Sequence, residues 1–290
     1  MDNYSKRKKS TGEEKEKINK VKRKLIRKKD SSHNVIKLLI KGLGDTNGLV
    51  RRSNSEALAR IGTATLPGLI KALLHSNNVI QRRAAAKTLK LLGDPTALPH
   101  LIKALTNDSD SIVQFSAAGA IAIFGEAAVN HLIIVLEDKE HSEMQYGLAA
   151  WCLEFIGAKA TKAIKKAAKS KNSNVKSAAI SALEEHIRQS QDIESIQLVE
   201  SAINDTAENV QIEAIRLVGK LYRIESLTKT LILKLKNNNP DIRKASILSL
   251  MQLNIIEAIN PLKDLAKIEK DKNVIKVIKL AIKKFDIYMN

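Results

Sequence analysis

Apolar and polar positions along this chain follow a thirteen-residue phrase that returns eight times. An aliphatic residue usually stands first and a basic or polar one second. Small residues stand at five and six, Ala-Leu or an equivalent at eight and nine, an aliphatic residue at twelve and often Gly at thirteen. The first copy reads Val50-Arg51-Arg52-Ser53-Asn54-Ser55-Glu56-Ala57-Leu58-Ala59-Arg60-Ile61-Gly62. Later copies begin at Gln81, Val113, Gln145, Val175, Val210, Ile242 and Val274, at intervals of 30–35 residues. Positions one, five, eight, nine and twelve fall on one stripe at helical spacing, which predicts an amphipathic helix with that stripe in the core. Positions two, three, seven, ten and eleven lie off the stripe and supply the expected surface side chains.

A second helix precedes each phrase, as in Ala97-Leu98-Pro99-His100-Leu101-Ile102-Lys103-Ala104-Leu105. Pro67 and Pro99 suit its first turn, where a missing N–H costs nothing. Gly62, Gly93, Gly125 and Gly157 suit the end of the phrase helix, where a left-handed residue stops it. Asp94-Pro95 restarts the chain after such a stop. A near-constant period of this length predicts stacked helical hairpins: an all-α protein, an α-solenoid. The solenoid is expected as one domain over 34–290, with about eight repeats. Val35, Ile36, Leu38, Leu39 and Ile40 provide its first helix, and 273–290 its last. Copies five to eight end near His186, Tyr222, Asn254 and Asp286 instead of Gly, and the longest interval includes Arg188-Gln189-Ser190-Gln191-Asp192, so a seam is expected near 188–192. A solenoid works with an extended concave face, which narrows the search to a row of side chains there.

Composition narrows the function classes. Apolar residues make up 44% and aromatics 3%, so Ala, Ile and Leu fill thin two-helix layers. The single cysteine, Cys152, excludes an intramolecular disulfide and points to a reducing, cytoplasmic setting. No apolar run approaches the roughly 20 residues that span a bilayer, and no apolar stretch follows the basic N-terminus as in a secretory signal, so no membrane insertion is expected. The net charge is +18, of which residues 1–30 contribute +8. Residues 1–33 form a basic tail, with Lys6-Arg7-Lys8-Lys9 and Lys22-Arg23-Lys24, that can bury little and is expected to be disordered. A basic surface favours acidic partners; the abundance of Lys, Ile and Asn together is equally what an AT-rich coding sequence produces. Nucleic acid is disfavoured as a partner, because the densest charge is in the tail and aromatics do not interleave with it. No two histidines stand at ligand spacing on one helix, so no metal is expected. Neither a phosphate-binding Gly loop nor a serine-hydrolase elbow occurs.

The stretch Ile80-Gln81-Arg82-Arg83-Ala84-Ala85-Ala86-Lys87-Thr88-Leu89-Lys90-Leu91-Leu92-Gly93-Asp94-Pro95-Thr96-Ala97-Leu98-Pro99 resembles the HEAT-like repeats first recognised in phycobilisome lyases. Two further segments, Val113-Gln114-Phe115-Ser116-Ala117-Ala118-Gly119-Ala120-Ile121-Ala122-Ile123-Phe124-Gly125-Glu126 and Glu143-Met144-Gln145-Tyr146-Gly147-Leu148-Ala149-Ala150-Trp151-Cys152-Leu153-Glu154-Phe155-Ile156-Gly157-Ala158, are similar to the phycoerythrobilin lyases of cyanobacteria. The good match covers roughly 35–190. The resemblance implies a superhelix of HEAT-like hairpins. It implies attachment of a linear tetrapyrrole, phycoerythrobilin, to a cysteine of a phycobiliprotein subunit, phycoerythrin, during phycobilisome assembly. The bilin would be a substrate, with no cofactor tightly bound. A second lyase or chaperone subunit, and isomerisation alongside attachment, stay open. The competing readings are a non-catalytic HEAT scaffold or bilin chaperone and, less favoured, a basic nucleic-acid-binding HEAT protein.

If the family reaction applies, the nucleophilic thiolate belongs to the acceptor. The lyase must supply cations for two propionates, a polar or acidic group near the pyrrole nitrogens, and walls that hold the bilin in one shape. Arg51, Arg52, Arg82 and Arg83, at positions two and three of the first two copies, are candidates for the propionates; the alternative for each is bonding to neighbouring loops. Phe115 and Tyr146 occupy the same positions in copies three and four. Trp151, the only tryptophan, stands at position seven and could stack on a flat tetrapyrrole; the alternative is a wedge between layers. Tyr146 and Glu154 are the candidates for catalytic proton control. Glu56 and Glu154 could hold pyrrole N–H groups, or be solvated surface carboxylates. Cys152, at position eight, is expected to be buried and inert.

Overall fold

The computed structural model describes residues 33–221 and 224–289; the expected basic tail lies almost wholly outside the described residues. Those residues form α-helices joined by short turns and single 3-10 turns, with no strand among them. Their contacts divide the chain into two compact units, at Ala128/Val129. In the first unit lie α1 (His33–Gly42), α2 (Gly48–Ile61), α3 (Leu66–His75), α4 (Val79–Leu92), α5 (Leu98–Asn107) and α6 (Ser111–Ile121). The division falls within α7 (Glu126–Glu137). In the second unit lie α8 (Glu143–Ile156), α9 (Thr161–Ala167), α10 (Ser173–Ser181), α11 (Glu184–Ser190), α12 (Ile193–Ile203), α13 (Glu208–Lys220), α14 (Glu225–Lys234), α15 (Pro240–Gln252), α16 (Ile259–Ile268) and α17 (Lys272–Met289).

Every phrase copy begins at the third residue of its helix, on α2, α4, α6, α8, α10, α13, α15 and α17. The reason lies three residues upstream of the phrase. Asn47, Asn78, Asp110, Ser142, Asn172, Asn239 and Asp271 each accept hydrogen bonds from the first free N–H groups of the helix that follows. A cap at a fixed offset sets the register of the helix. Ala207 is the exception among the eight; there Asp205 Oδ1 takes the Ala207 N–H instead. Position five is buried in all eight copies: Asn54, Ala85, Ala117, Ala149, Ala179, Ala214, Ser246 and Ile278. Small residues there let successive phrase helices approach closely within each unit, as α2 does α4 and α13 does α15. The fifth phrase is split between two helices: α10 stops at Ser181, and positions ten to thirteen of the phrase open α11, which runs on to Ser190 into the longest interval. This second helix reaches the place where the sequence suggests a seam, whereas the contact division falls earlier, in α7.

The phrase-ending glycines all have positive φ, but only Gly93 (φ 67°, ψ 18°) is left-handed helical. Gly62 (φ 89°, ψ −152°) lies in a region essentially closed to residues with a Cβ. In the seventh copy Asn254 takes the role at φ 54°, as Asn does more readily than most residues. A Cβ at Gly62 or Gly93 would meet nothing within 4 Å, so substitution there reports backbone strain alone. Gly62→Ala is therefore expected to cost about 2–3 kcal/mol and Gly93→Ala about 1 kcal/mol. Urea unfolding of the two variants checks the order; equal costs would refute the backbone account.

Candidate functional site

Position two of the phrase has a recurrent structural task. In six copies its side chain donates to a main-chain carbonyl in the turn of its own hairpin. Arg51 Nη1 donates to Asp45 O (2.7 Å), Arg82 Nη1 to Ser76 O (2.9 Å) and Gln114 Nε2 to Asp108 O (2.6 Å). Tyr146 Oη donates to Asp138 O (2.6 Å), Gln211 Nε2 to Asp205 O (2.6 Å) and Arg243 Nη1 to Asn237 O (2.9 Å). Carbonyls left over at a helix end need donors, and a long side chain just inside the next helix reaches them. Arg82 also forks onto Asp108 (2.8 and 3.0 Å), at the next turn along; Arg243 does the same to Glu269 (2.6 Å for both bonds). The Arg243 guanidinium, bonded to Glu269, holds that carboxyl below its usual range despite burial.

The sequence-derived candidates thus fall into two groups. Arg51, Arg52, Arg82, Arg83 and Phe115 belong to the first unit. Arg51 and Arg82 grip turns, and Arg83 forks onto Asp110, which also caps α6. This bonding lowers the pKa of Asp110 and raises that of Arg83. Arg52 is 78% exposed and pairs with Glu56 at 2.9 Å along α2. Phe115 is exposed on α6.

Tyr146, Trp151 and Glu154 belong to the second unit and line one groove of about 480 Å³. Three successive phrase helices build it. On α8 stand Tyr146, Gly147, Trp151 and Glu154; on α10, Ser177, Ala178 and Ser181; on α13, Glu213 and Arg216. Trp151 is 37% exposed, and its ring lies 5.7 Å from that of Phe155, one turn on, tilted by 33°. Lys159 Nζ sits 5.6 Å from the Phe155 ring centre, a cation–π contact. Glu154 Oε1 accepts from Lys220 Nζ at 3.1 Å, and the same ammonium lies 3.1 Å from Glu184 Oε2. Burial pulls the Lys220 pKa down, but the two carboxylates outweigh it and the net shift is upward. Arg188 donates to Lys220 O at 2.6 Å and ties down the end of α13. Cys152, beside Trp151 in sequence, is wholly buried, and burial pushes its thiol up to about 12.

A roomier hollow of about 750 Å³ lies by α14 and α16, but aliphatic side chains such as Ile232, Leu233, Leu265 and Ile268 dominate it and no aromatic lines it. The α8–α10–α13 groove alone of the two combines a flat ring, carboxylates and a guanidinium. Among the described residues no cluster of three or more His, Cys, Asp or Glu could hold a metal ion. Among them no single helix is long and apolar enough to cross a membrane; one sharply bent pair, α2 with the segment through α3, reaches the length and composition.

The chain matches the family described as HEAT repeats over residues 36–122, 66–150 and 196–283. It is 41% identical over 239 residues to the bilin biosynthesis protein MpeU of Synechococcus sp. (strain WH8020), covering 82% of this chain and 80% of that one. The chain belongs to the HEAT-repeat bilin lyase family. Among solved structures, Kap95p with RanGDP aligns at a TM-score of 0.53 and 13% identity, over 89% of this chain and 41% of that one, which bears on the helical-repeat fold alone. The CpcE–CpcF complex of phycocyanin lyase from Nostoc sp. aligns at a TM-score of 0.30 and 18% identity, over 86% and 99%.

For this bilin lyase family member, sequence reading passed over Arg216, Lys220, Ser177 and Ser181. A signal for them was present. Trp151, Ser181 and Arg216 are position seven of three consecutive copies, so following that position beyond the fourth copy leads along the groove.

Proposed function

We propose that this protein is a bilin lyase that attaches a linear tetrapyrrole, phycoerythrobilin, to a cysteine of a phycobiliprotein subunit, phycoerythrin, in the cytoplasm. The observation that carries the reading is the 41% identity to a bilin biosynthesis protein over four-fifths of both chains. The α8–α10–α13 groove supports it chemically, since its volume falls within the roughly 300–1,000 Å³ of small-molecule sites. Trp151 offers a face for stacking, and Glu154 a carboxylate for pyrrole N–H groups. The Tyr146 hydroxyl, whose proton is committed to Asp138 O, remains an acceptor.

In the reaction the acceptor's thiolate adds to the ethylidene carbon of ring A. One C–S bond forms, the double bond is consumed, and a proton is delivered to the ring, with no leaving group. The lyase contributes orientation and control of protonation. Cys152 takes no part, because a buried thiol with so high a pKa is neither ionised nor reachable. Arg51, Arg82 and Arg83 serve the hairpins and their stacking.

Transfer to a purified acceptor subunit tests the proposal. The full chain, phycoerythrobilin and the phycoerythrin subunit are incubated, and the pigment covalently attached is read by zinc-induced fluorescence on a denaturing gel. Attachment that depends on this protein is the expected result. Bilin binding without transfer, with and without a second lyase subunit, would leave a bilin chaperone; no binding at all would remove the reading.

A further inference from the structure

The groove is electrically lopsided. Its α8 side carries Glu143 and Glu154 with no lining cation, whereas its α13 side carries one carboxylate, Glu213, together with Arg216, the one Lys or Arg among the lining residues. Lys220 is shared between Glu154 and Glu184, so it offsets the Glu154 charge only in part. Arg216 is loosely held. Its side chain is 63% exposed, and its contact with Glu213 on the same helix is 3.5 Å, at the outer limit of a hydrogen bond. By contrast Arg82 and Arg243 are forked onto carboxylates at 3.0 Å or less and mostly buried. A guanidinium in the first condition can turn to a ligand carboxylate; one in the second cannot without breaking the hairpin.

We propose that Arg216 is the carboxylate-binding residue of this groove and sets the orientation of its ligand. This rests on the bilin reading above. The ligand's conjugated rings lie against Trp151, with their N–H groups toward the carboxylates of α8. Its acid side chains point to α13. The reverse placement would bring propionates against Glu143 and Glu154, where like charges at close range repel. The planar fork of arginine suits a carboxylate better than a lysine would. Trp151 and Arg216 share phrase position seven with a helix between them, so the span across α10 is about two helix spacings, roughly 16–20 Å. That length accommodates an extended chain of linked pyrroles rather than a single small ring.

The test compares phycoerythrobilin with its dimethyl ester on the full chain, with Trp151 quenching and bilin absorbance as readouts. The wild type is expected to bind the diacid about tenfold or more tightly than the ester, the effect of one charge-assisted fork. Arg216→Gln should bring the diacid to the level of the ester and leave the ester unchanged. Arg216→Lys should recover part of the preference. Glu213→Gln, which frees Arg216 from its neighbour, should strengthen the preference. Because Arg216 is exposed, helix content and thermal unfolding should stay as in the wild type; an Arg216→Gln variant that keeps the diacid preference would overturn the assignment. Equal binding of both forms by the wild type would overturn Arg216 but not the bilin reading. Binding of neither form would overturn both.

Discussion

Arg82→Ala is expected to cost the first unit about 3–5 kcal/mol, the usual penalty for removing one member of a buried ion pair. The Arg82 and Asp108 side chains are 12% and 8% exposed, joined by two bonds, and a third bond from Arg82 satisfies Ser76 O. Truncation leaves Ser76 O without this donor and the Asp108 carboxylate with the Asp110 N–H on Oδ1 but no counter-charge from Arg82. Arg82→Lys should lose most of the same stability, because an ammonium cannot make the fork and reach the turn as well. Arg83→Ala removes a more open pair, 31% and 24% exposed and screened by solvent, and should cost far less than Arg82→Ala. Hydrogen exchange of α4 to α6, read with urea unfolding, distinguishes the two. If Arg82→Ala left exchange unchanged while bilin binding fell, Arg82 would be a ligand residue and the hairpin role would be wrong.

Trp151→Ala is expected to lower bilin transfer at least tenfold, while Cys152→Ala transfers at the wild-type rate. Trp151 presents its ring in the groove and is backed by Phe155, so its loss removes stacking area and lets the bilin turn; aromatic contact alone contributes about 0.5–1.5 kcal/mol beyond burial. Trp151→Phe should recover much of the rate. Bilin binding should also quench the emission of Trp151, the chain's single tryptophan. Unquenched emission at saturating bilin would place the ligand elsewhere. Cys152 has a thiol pKa of about 12, so at pH 8 roughly one thiol in ten thousand is ionised. Alanine already fills the equivalent position at Ala57, Ala120 and Ala182, so the substitution is one the packing accepts. A folded but inactive Cys152→Ala protein would contradict the idea that the acceptor supplies the nucleophile.

What the sequence by itself determined is local and periodic. Eight phrases specify eight helices in register, because each helix needs only its own apolar stripe and, in seven of the eight, a capping residue three positions ahead. The burial of Cys152 and the stop at Gly93 follow from the same short-range rules. Even the signal for the groove is there, in position seven of three copies. Only the tertiary structure decided which off-stripe side chains are free. Position two looks like surface on a helical wheel, yet Arg51 and Arg82 turn toward carbonyls six residues back, because an unpaired carbonyl at a helix end claims the nearest strong donor. Whether that donor is Arg, Gln or Tyr hardly matters to the turn, which is why residue type misleads there. Tyr146, Trp151, Glu154, Ser181 and Arg216 meet because phrase helices some thirty residues apart stack in parallel rows. Their spacing across the groove depends on how closely α8, α10 and α13 pack, and that distance is set by side-chain volumes from several repeats at once, which no single phrase encodes.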